Sequence, residues 1–582
     1  MTGKPSIDRP WLNHYPEGAD KVPLPEMTAY QYLYACNKYY MDGIALEYYG
    51  VKISYSAMFA SIDVAARALT AIGVKRGDIV TVMMPNTPEA IYCFYGLNKI
   101  GACANMLSPT FTPEHITGSI DLTESKLLVI LDKFLDMFSE VIKKSNVNSI
   151  VVSSPLDSLP PHMRLLASVK QKPLAIPKDN KYMDWKKFVK SGKNSGELVG
   201  DYEPEMPAII VYSSGSTGAA KGVVLPNEAF TGLGAQYIAI NNLNLNNARG
   251  NTALAIVPLF ISTGINAVLN IILCFGVTAI LEPVFDGDVF VKRMNENKPN
   301  YTLSTPSHFE HLLNSDSGDL SSVRISVAGG EALPEPLETA LNDYFAQHGS
   351  NALMMKGWGM CEYGSTVTTS TKSNKVGEGT GKPVSHIIVS AFDLDTDDEL
   401  SYNQRGEIRV ITPCRMLGYY KNPEATAEFF REGKDGQVWG CSGDMGYIDE
   451  DGNVFIEGRA HDYIHGESGN KVWLFDIENI LLADEAVQLC EAVGLSVDGR
   501  DVPVAHLVLK QNSKDNLETV LRRIHESCVK ALSPDAVPHG YKVRDGFNVL
   551  PSGKRDTLSL KNERNGFVVA DSDRIRKVNW GK

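Results

Sequence analysis

Hydroxyl side chains and glycines alternate through Tyr212–Gly222, which reads YSSGSTGAAKG. Ser213, Ser214, Ser216 and Thr217 carry hydroxyl donors, while Gly215 and Gly218 let the backbone turn its N–H groups inward. A concave array of such donors is a nest for polyphosphate, and Lys221 adds a point charge at its exit. The run also has the composition of a flexible Ser/Gly linker. Linkers, however, rarely emerge from an apolar, β-branched segment such as Ala208, Ile209, Ile210 and Val211, which reads as a buried strand. A nucleotide phosphate loop is the favoured reading. It is not the standard P-loop, because Lys221 stands three residues after Gly218 and precedes Gly222.

Other short runs could serve the same ligand. Gly357, Trp358, Gly359, Met360, Cys361 and Glu362 place two glycines around an indole, which allows close approach of a flat molecule to a stacking face. Taken alone, this run could equally be a strand end with an exposed glutamate. Ser442-Gly443-Asp444 follows Trp439 and is by itself a common turn sequence; a carboxylate there can accept two hydrogen bonds from a vicinal diol. Gly329-Gly330-Glu331 reads as a strand-to-helix turn, and Pro551-Ser552-Gly553-Lys554 as an ordinary β-turn.

In this order and spacing the runs resemble the adenylate-forming superfamily, which holds acyl-CoA synthetases, adenylation domains of nonribosomal peptide synthetases and firefly luciferase. The likeness extends from about residue 50 to about residue 560. It is greatest to free-standing fatty-acid or aryl-acid CoA ligases. The resemblance implies that Ser213 to Lys221 cradle the β- and γ-phosphates of ATP and that Glu362 holds Mg²⁺. It implies that Gly329, Gly330 and Glu331 border adenine and the acyl pocket, with Trp358 stacking near adenine. Asp444 would fix the ribose hydroxyls, and Arg459 would meet ribose or the α-phosphate as a fixed cation. Asp462 marks the hinge, Gly469 the wall of the pantetheine tunnel, and Lys554 the lysine that reaches carboxylate and α-phosphate during adenylation. Three departures stand out: Ala220 replaces Pro, Cys361 replaces Thr, and Ile261 replaces the His that usually follows Phe260.

The elements that must position these groups alternate. Ser56 to Ile72 has apolar positions at helical spacing, Asp78 to Met84 reads as a strand, and Ala90 to Ile100 as a second helix. This alternation predicts an α/β sheet with helices on its faces. Residues 157 to 205, rich in Pro, Lys, Asp and Ser, read as surface connection. Ala267 to Leu281 reads as a buried helix entering a strand and is too short to span a bilayer. Leu517, Val520, Leu521, Ile524, Cys528 and Leu532 recur at helical spacing and predict a helix with one buried face. A composition change near Gly458 divides a large N-terminal domain of packed sheets and helices, 1–458, from a small mobile α+β domain, 459–582.

The whole chain sets limits. Its 582 residues exceed one ordinary core. The net charge of −13 argues against nucleic-acid binding, since there is no basic excess to neutralise phosphates. Nine Cys without a CxxC pair read as reduced thiols of a cytoplasmic protein. His461 and His465 read as surface groups, not as a metal site. The expected activity is an AMP-forming acid–thiol ligase that joins a fatty or aryl acid to CoA through acyl-AMP. Two alternatives stay open: a ligase loading a separate acyl carrier protein, and a non-catalytic nucleotide-binding relative. The first ~30 and last ~20 residues lie outside the resemblance.

Overall fold

The computed structural model describes residues 2–170, 176–196, 200–213, 220–240, 245–315, 318–371, 374–497, 499–510, 516–548, 556–570 and 575–578. Contact density divides the chain into a larger unit, Met1–Gln404, Arg409–Ser442 and Ile448–Phe455, and a smaller one, Arg405–Ile408, Gly443–Tyr447 and Ile456–Lys582.

Two twisted sheets of mainly parallel strands organise the larger unit. One has nine strands in the order Lys382–Pro383, Thr368–Thr369, Met354–Trp358, Ile325–Gly329, Tyr301–Ser304, Thr252–Ala255, Thr278–Leu281, Ile44–Tyr48 and Val51–Ser54. The other has eight: Gly418–Tyr419, Lys221–Pro226, Pro207–Ser213, Cys103–Met106, Ile79–Met83, Leu127–Leu131, Ser149–Ser153 and Tyr182–Asp184. Parallel pairing needs crossover helices on the faces, which explains why the apolar strands alternate with amphipathic helices.

The helix expected over 56–72 runs Tyr55–Ala71, capped by Ser54, whose hydroxyl accepts from the Ala57 amide. The strand expected over 78–84 is Ile79–Met83. The next helix begins at Pro88, two residues earlier than expected, because Thr87 caps it and proline suits its first turn. Ala267 to Leu281 is a buried helix entering a strand, with wide π-helical turns over Thr263–Asn270.

Residues 157 to 205 are more ordered than surface connection. They hold the helices Pro161–Lys170 and Trp185–Ser191 and the edge strand Tyr182–Asp184. Trp185 and Phe188, three apart among lysines, are buried and anchor the second helix, while Asp184 caps it through the Lys187 amide at 2.8 Å.

The N-terminal residues form a strap across the larger unit. Lys4 donates to the carbonyl of Glu399, and the Ser6 amide and hydroxyl donate to the Glu399 carboxylate at 3.0 and 2.8 Å. Trp11 is 1% exposed and lies so close to Gly452 that a Cβ there would come 2.7 Å from the Trp11 amide.

In the smaller unit the strands Val487–Val497, Arg500–Leu509, Tyr541–Arg544, Phe567–Ala570 and Ile575–Val578 form one sheet, and Leu517–Ala531 is the crossover helix. Val520, Leu521, Ile524 and Cys528 are buried against Ile464, Leu481 and Leu507, with Leu532 partly buried. Leu517, expected on that face, is 46% exposed, because it opens the first turn directly after the Asn516 cap.

Candidate active site

The strands Pro207–Ser213 and Lys221–Pro226 run antiparallel, with Ser213 and Lys221 as register partners. The two residues that flank the loop are thus paired side by side. Ser214, Gly215, Ser216, Thr217 and Gly218 lie outside the described residues. Ala220 packs on the core below the sheet.

On the other edge of Lys221–Pro226 lies the short strand Gly418–Tyr419, with Tyr419 opposite Val223. This pairing brings the Tyr419 ring beneath Lys221, whose ammonium lies 5.0 Å from the ring centroid. The Tyr419 hydroxyl donates to Glu362 Oε1 at 2.8 Å. Burial, reinforced by the negative charge of Glu362, pushes the Tyr419 phenol far above its ordinary range, so it stays a donor. One ring therefore links the lysine at the loop exit to a carboxylate that is only 4% exposed. Sequence reasoning did not single out Tyr419. Its role depends on the pairing of its strand with the loop's own exit strand, which the linear chain does not display.

Glu362 sits in a single 3₁₀ turn, Cys361–Tyr363, fixed by two anchors. The Met416 amide donates to the Glu362 carbonyl at 2.7 Å, and the Tyr363 hydroxyl donates to the Gly440 carbonyl at 2.7 Å. Cys361 is part-exposed and its Sγ accepts from the buried Ser262 hydroxyl at 3.1 Å. A hydroxyl thus stands beside the thiol that replaces the expected threonine. Ser262 is a second residue that sequence reasoning missed. Among the described residues no group of three or more His, Cys, Asp or Glu could hold a metal ion. A lone buried carboxylate fits Mg²⁺ all the same, since that ion is usually held by one or two carboxylates plus phosphates and water.

The glycines fall at strand ends. Gly329 and Gly357 are partners in adjacent parallel strands, and Gly330 follows at φ +87°, a conformation that favours glycine. A Cβ on Gly359 would sit 1.8 Å from the Ser365 carbonyl oxygen, so no other residue fits. Glu331 and Trp358 are half-buried, and Met360 immediately precedes the Cys361–Tyr363 turn.

The segment Val257 to Ser262 is pinned by Asn86, whose Nδ2 donates to the carbonyls of Ala255 and Val257 and whose Oδ1 accepts from the Leu259 amide. Asn266 then ties the following helix to the Gly364 carbonyl at 2.8 Å, two residues beyond Glu362. Ile261 is half-buried.

In the smaller unit Arg459 Nη1 lies 3.0 Å from Asp444 Oδ1, and the Ala460 amide donates to the Gly443 carbonyl at 2.8 Å. Gly443 has φ +67°, which turns the chain just before the buried Asp444. Burial raises the Asp462 carboxyl above its ordinary range, against the pull of Lys561 and Arg459. Gly469, at φ +80°, closes the turn between Tyr463–His465 and Lys471–Trp473, and its amide donates to the Gly466 carbonyl. Lys554 lies outside the described residues.

Among known proteins, the chain is 27% identical to a long-chain-fatty-acid–CoA ligase of Bacillus subtilis, over 94% of this chain and 96% of that one. It is also 27% identical to 4-coumarate–CoA ligase 1 of Arabidopsis thaliana, over 81% and 82% of the two chains. The fold matches the solved structures of the anthranilate CoA ligase AuaEII with anthranoyl-AMP (TM-score 0.76, 20% identity, 93% of this chain and 98% of that one) and of ATP-bound MatB from Rhodopseudomonas palustris (TM-score 0.77, 19%, 92% and 98%). The family model described as AMP-binding enzyme matches residues 34–420, which span the phosphate loop, Glu362 and Tyr419, and the chain belongs to that family.

Proposed function

We propose that the protein is an AMP-forming acid–thiol ligase. In the first half-reaction a carboxylate attacks the α-phosphate of ATP and forms acyl-AMP with release of pyrophosphate. In the second, a thiol attacks the acyl carbonyl and AMP leaves. The observation that carries this reading is the Lys221–Tyr419–Glu362 array, which sets a cation and a buried carboxylate at the mouth of a Ser/Gly loop. Adenylyl transfer asks a protein mainly for positioning and charge neutralisation, and this array supplies both. Mg²⁺, which neutralises phosphate charge when bound, would sit on Glu362.

The other roles follow. Ser213, Ser214, Gly215, Ser216, Thr217, Gly218 and Lys221 cradle the phosphates, Gly329, Gly330, Glu331 and Trp358 line the adenine side, and Asp444 with Arg459 takes ribose. Lys554 stabilises the charge that gathers at the α-phosphate and rides on a small domain, 459–582, that swings about Asp462 and brings Gly469 to the thiol route. CoA is the favoured thiol, because the relatives named above include CoA ligases over more than four-fifths of their length. Ile261 in place of an imidazole favours a fatty or aryl acid. No described helix is long and apolar enough to cross a membrane, and a cytoplasmic site of action is proposed with the rest.

A panel of acids from acetate to stearate, with benzoate and cinnamate, scored for pyrophosphate release, tests the first half-reaction. Hydroxylamine traps the acyl-AMP, and loss of free CoA thiol separates CoA from a carrier-protein acceptor. Release of ADP and orthophosphate, with no trapped hydroxamate, would overturn the proposal.

A further inference from the structure

The eight-stranded sheet ends in the parallel strands Leu127–Leu131, Ser149–Ser153 and Tyr182–Asp184, with Leu131 beside Ser153 and Val152 beside Asp184. Their C-terminal ends therefore lie together at one corner of the sheet. After the first strand comes Met137, which is 65% exposed. After the second comes the helix Pro161–Lys170, where Leu165 and Leu166 are 69% and 70% exposed. Arg164 ties this helix back to the corner by donating to the carbonyls of Asp157 and Leu159 at 2.8 and 3.1 Å. The helix Trp185–Ser191 follows the third strand directly. Burial of Trp185 and Phe188 turns Lys186, Lys187 and Lys190 to solvent, and Lys178 and Lys193 are exposed on either side.

Lysines on the outer face of a helix are ordinarily no more than solvated surface. Two features set this corner apart. Residues 176–193 hold six Lys and two Asp, a local charge of +4 in a chain of −13. Both Asp are engaged by the backbone: Asp179 accepts from the Lys181 amide at 3.0 Å and Asp184 from the Lys187 amide at 2.8 Å. The second feature is the three large apolar side chains left in water at the same corner, where their exposure is unfavourable.

We propose that this corner is a docking surface for an anionic lipid bilayer, with the five exposed lysines at the headgroup phosphates and Met137, Leu165 and Leu166 entering the acyl boundary. Attraction to anionic headgroups and burial of apolar side chains are the two forces that hold a protein on a membrane surface without a spanning helix. A soluble polyanion would engage the lysines and leave the leucines uncovered. The surface is independent of the acid–thiol ligase reading, since none of its residues belongs to the Lys221–Tyr419–Glu362 array.

The test is co-sedimentation of the full-length chain with vesicles of phosphatidylcholine alone and of an equal mixture of phosphatidylcholine and phosphatidylserine. The protein should bind the mixed vesicles, bind them less as salt is raised, and bind phosphatidylcholine alone far more weakly. A basic side chain at an anionic surface contributes about fivefold to binding, so Lys186→Glu/Lys187→Glu/Lys190→Glu should weaken it at least about 10²-fold. Leu165→Ser/Leu166→Ser should weaken it as well. Both variants should keep the thermal unfolding midpoint of the unaltered protein, because the altered side chains are exposed. No binding to the mixed vesicles, equal binding to both kinds, or binding that survives the lysine changes overturns the proposal. So does a loss confined to the lysine variant, which would mark the corner as a surface for a soluble polyanion.

Discussion

Tyr419 stands between opposite charges, with its ring under the Lys221 ammonium and its hydroxyl on the Glu362 carboxylate. Tyr419→Phe keeps the ring and removes one donor from a buried carboxylate. A hydrogen bond to a charged group is worth about 1.5–3 kcal/mol, so pyrophosphate release should fall at least about tenfold, with a raised Mg²⁺ requirement. The check is an Mg²⁺ titration of both proteins; identical curves would remove Tyr419 from the site. The neighbouring exchange at Cys361 is softened by Ser262, which supplies a hydroxyl 3.1 Å from the thiol. Neither partner was legible from the linear chain, because each contact joins segments far apart in sequence and depends on strand pairing or on a helix start.

The helix Pro88–Lys99 is buried along its whole length, and it carries a carboxyl in its first turn. Burial raises Glu89 to about 7, against the pull of the Ser158 hydroxyl, which donates to Oε1 at 2.5 Å. Because the folded value lies above the unfolded one, the folded state holds a proton that the unfolded state has released. Stability should therefore fall as pH rises from about 4.5 to about 7 and stay low above that window. Glu89→Gln removes the effect. It should stabilise the protein at pH 8 by on the order of 3 kcal/mol and change little at pH 5, as read by urea unfolding at both pH values. A parallel pH dependence in the two proteins would refute this. The elements themselves were largely readable. The helix Tyr55–Ala71 and the strand Ile79–Met83 announce themselves by period and by caps. Trp185–Ser191 did not, since only Trp185 and Phe188 bury its face and lysines conceal them. Leu517 misled in the opposite sense, having the right spacing but a place outside the packed turns.

At the scale of the molecule the proposed chemistry is shared between two compact units. Lys221, Tyr419 and Glu362 belong to the larger one and Asp444, Arg459 and Lys554 to the smaller. Lys554→Ala should lower acyl-AMP formation by about 10²–10³-fold, the usual cost of losing one electrostatic donor. Thioester formation from synthetic acyl-AMP should survive, and equal damage to both half-reactions would contradict a swinging domain. The sequence reading drew its boundary at Gly458 and so kept Asp444 with the larger domain, whereas contact density groups Asp444 with the smaller unit. The strap was not legible, because it consists of single contacts made across almost 400 residues. Ser6 waits for Glu399, 393 residues later, and Trp11 waits for Gly452. At ribosomal speeds of about 5–20 residues per second, both residues remain without these partners for tens of seconds after they are made. An indole that ends in the interior meanwhile has nothing to cover it, which makes the strap one of the last pieces of the larger unit to settle.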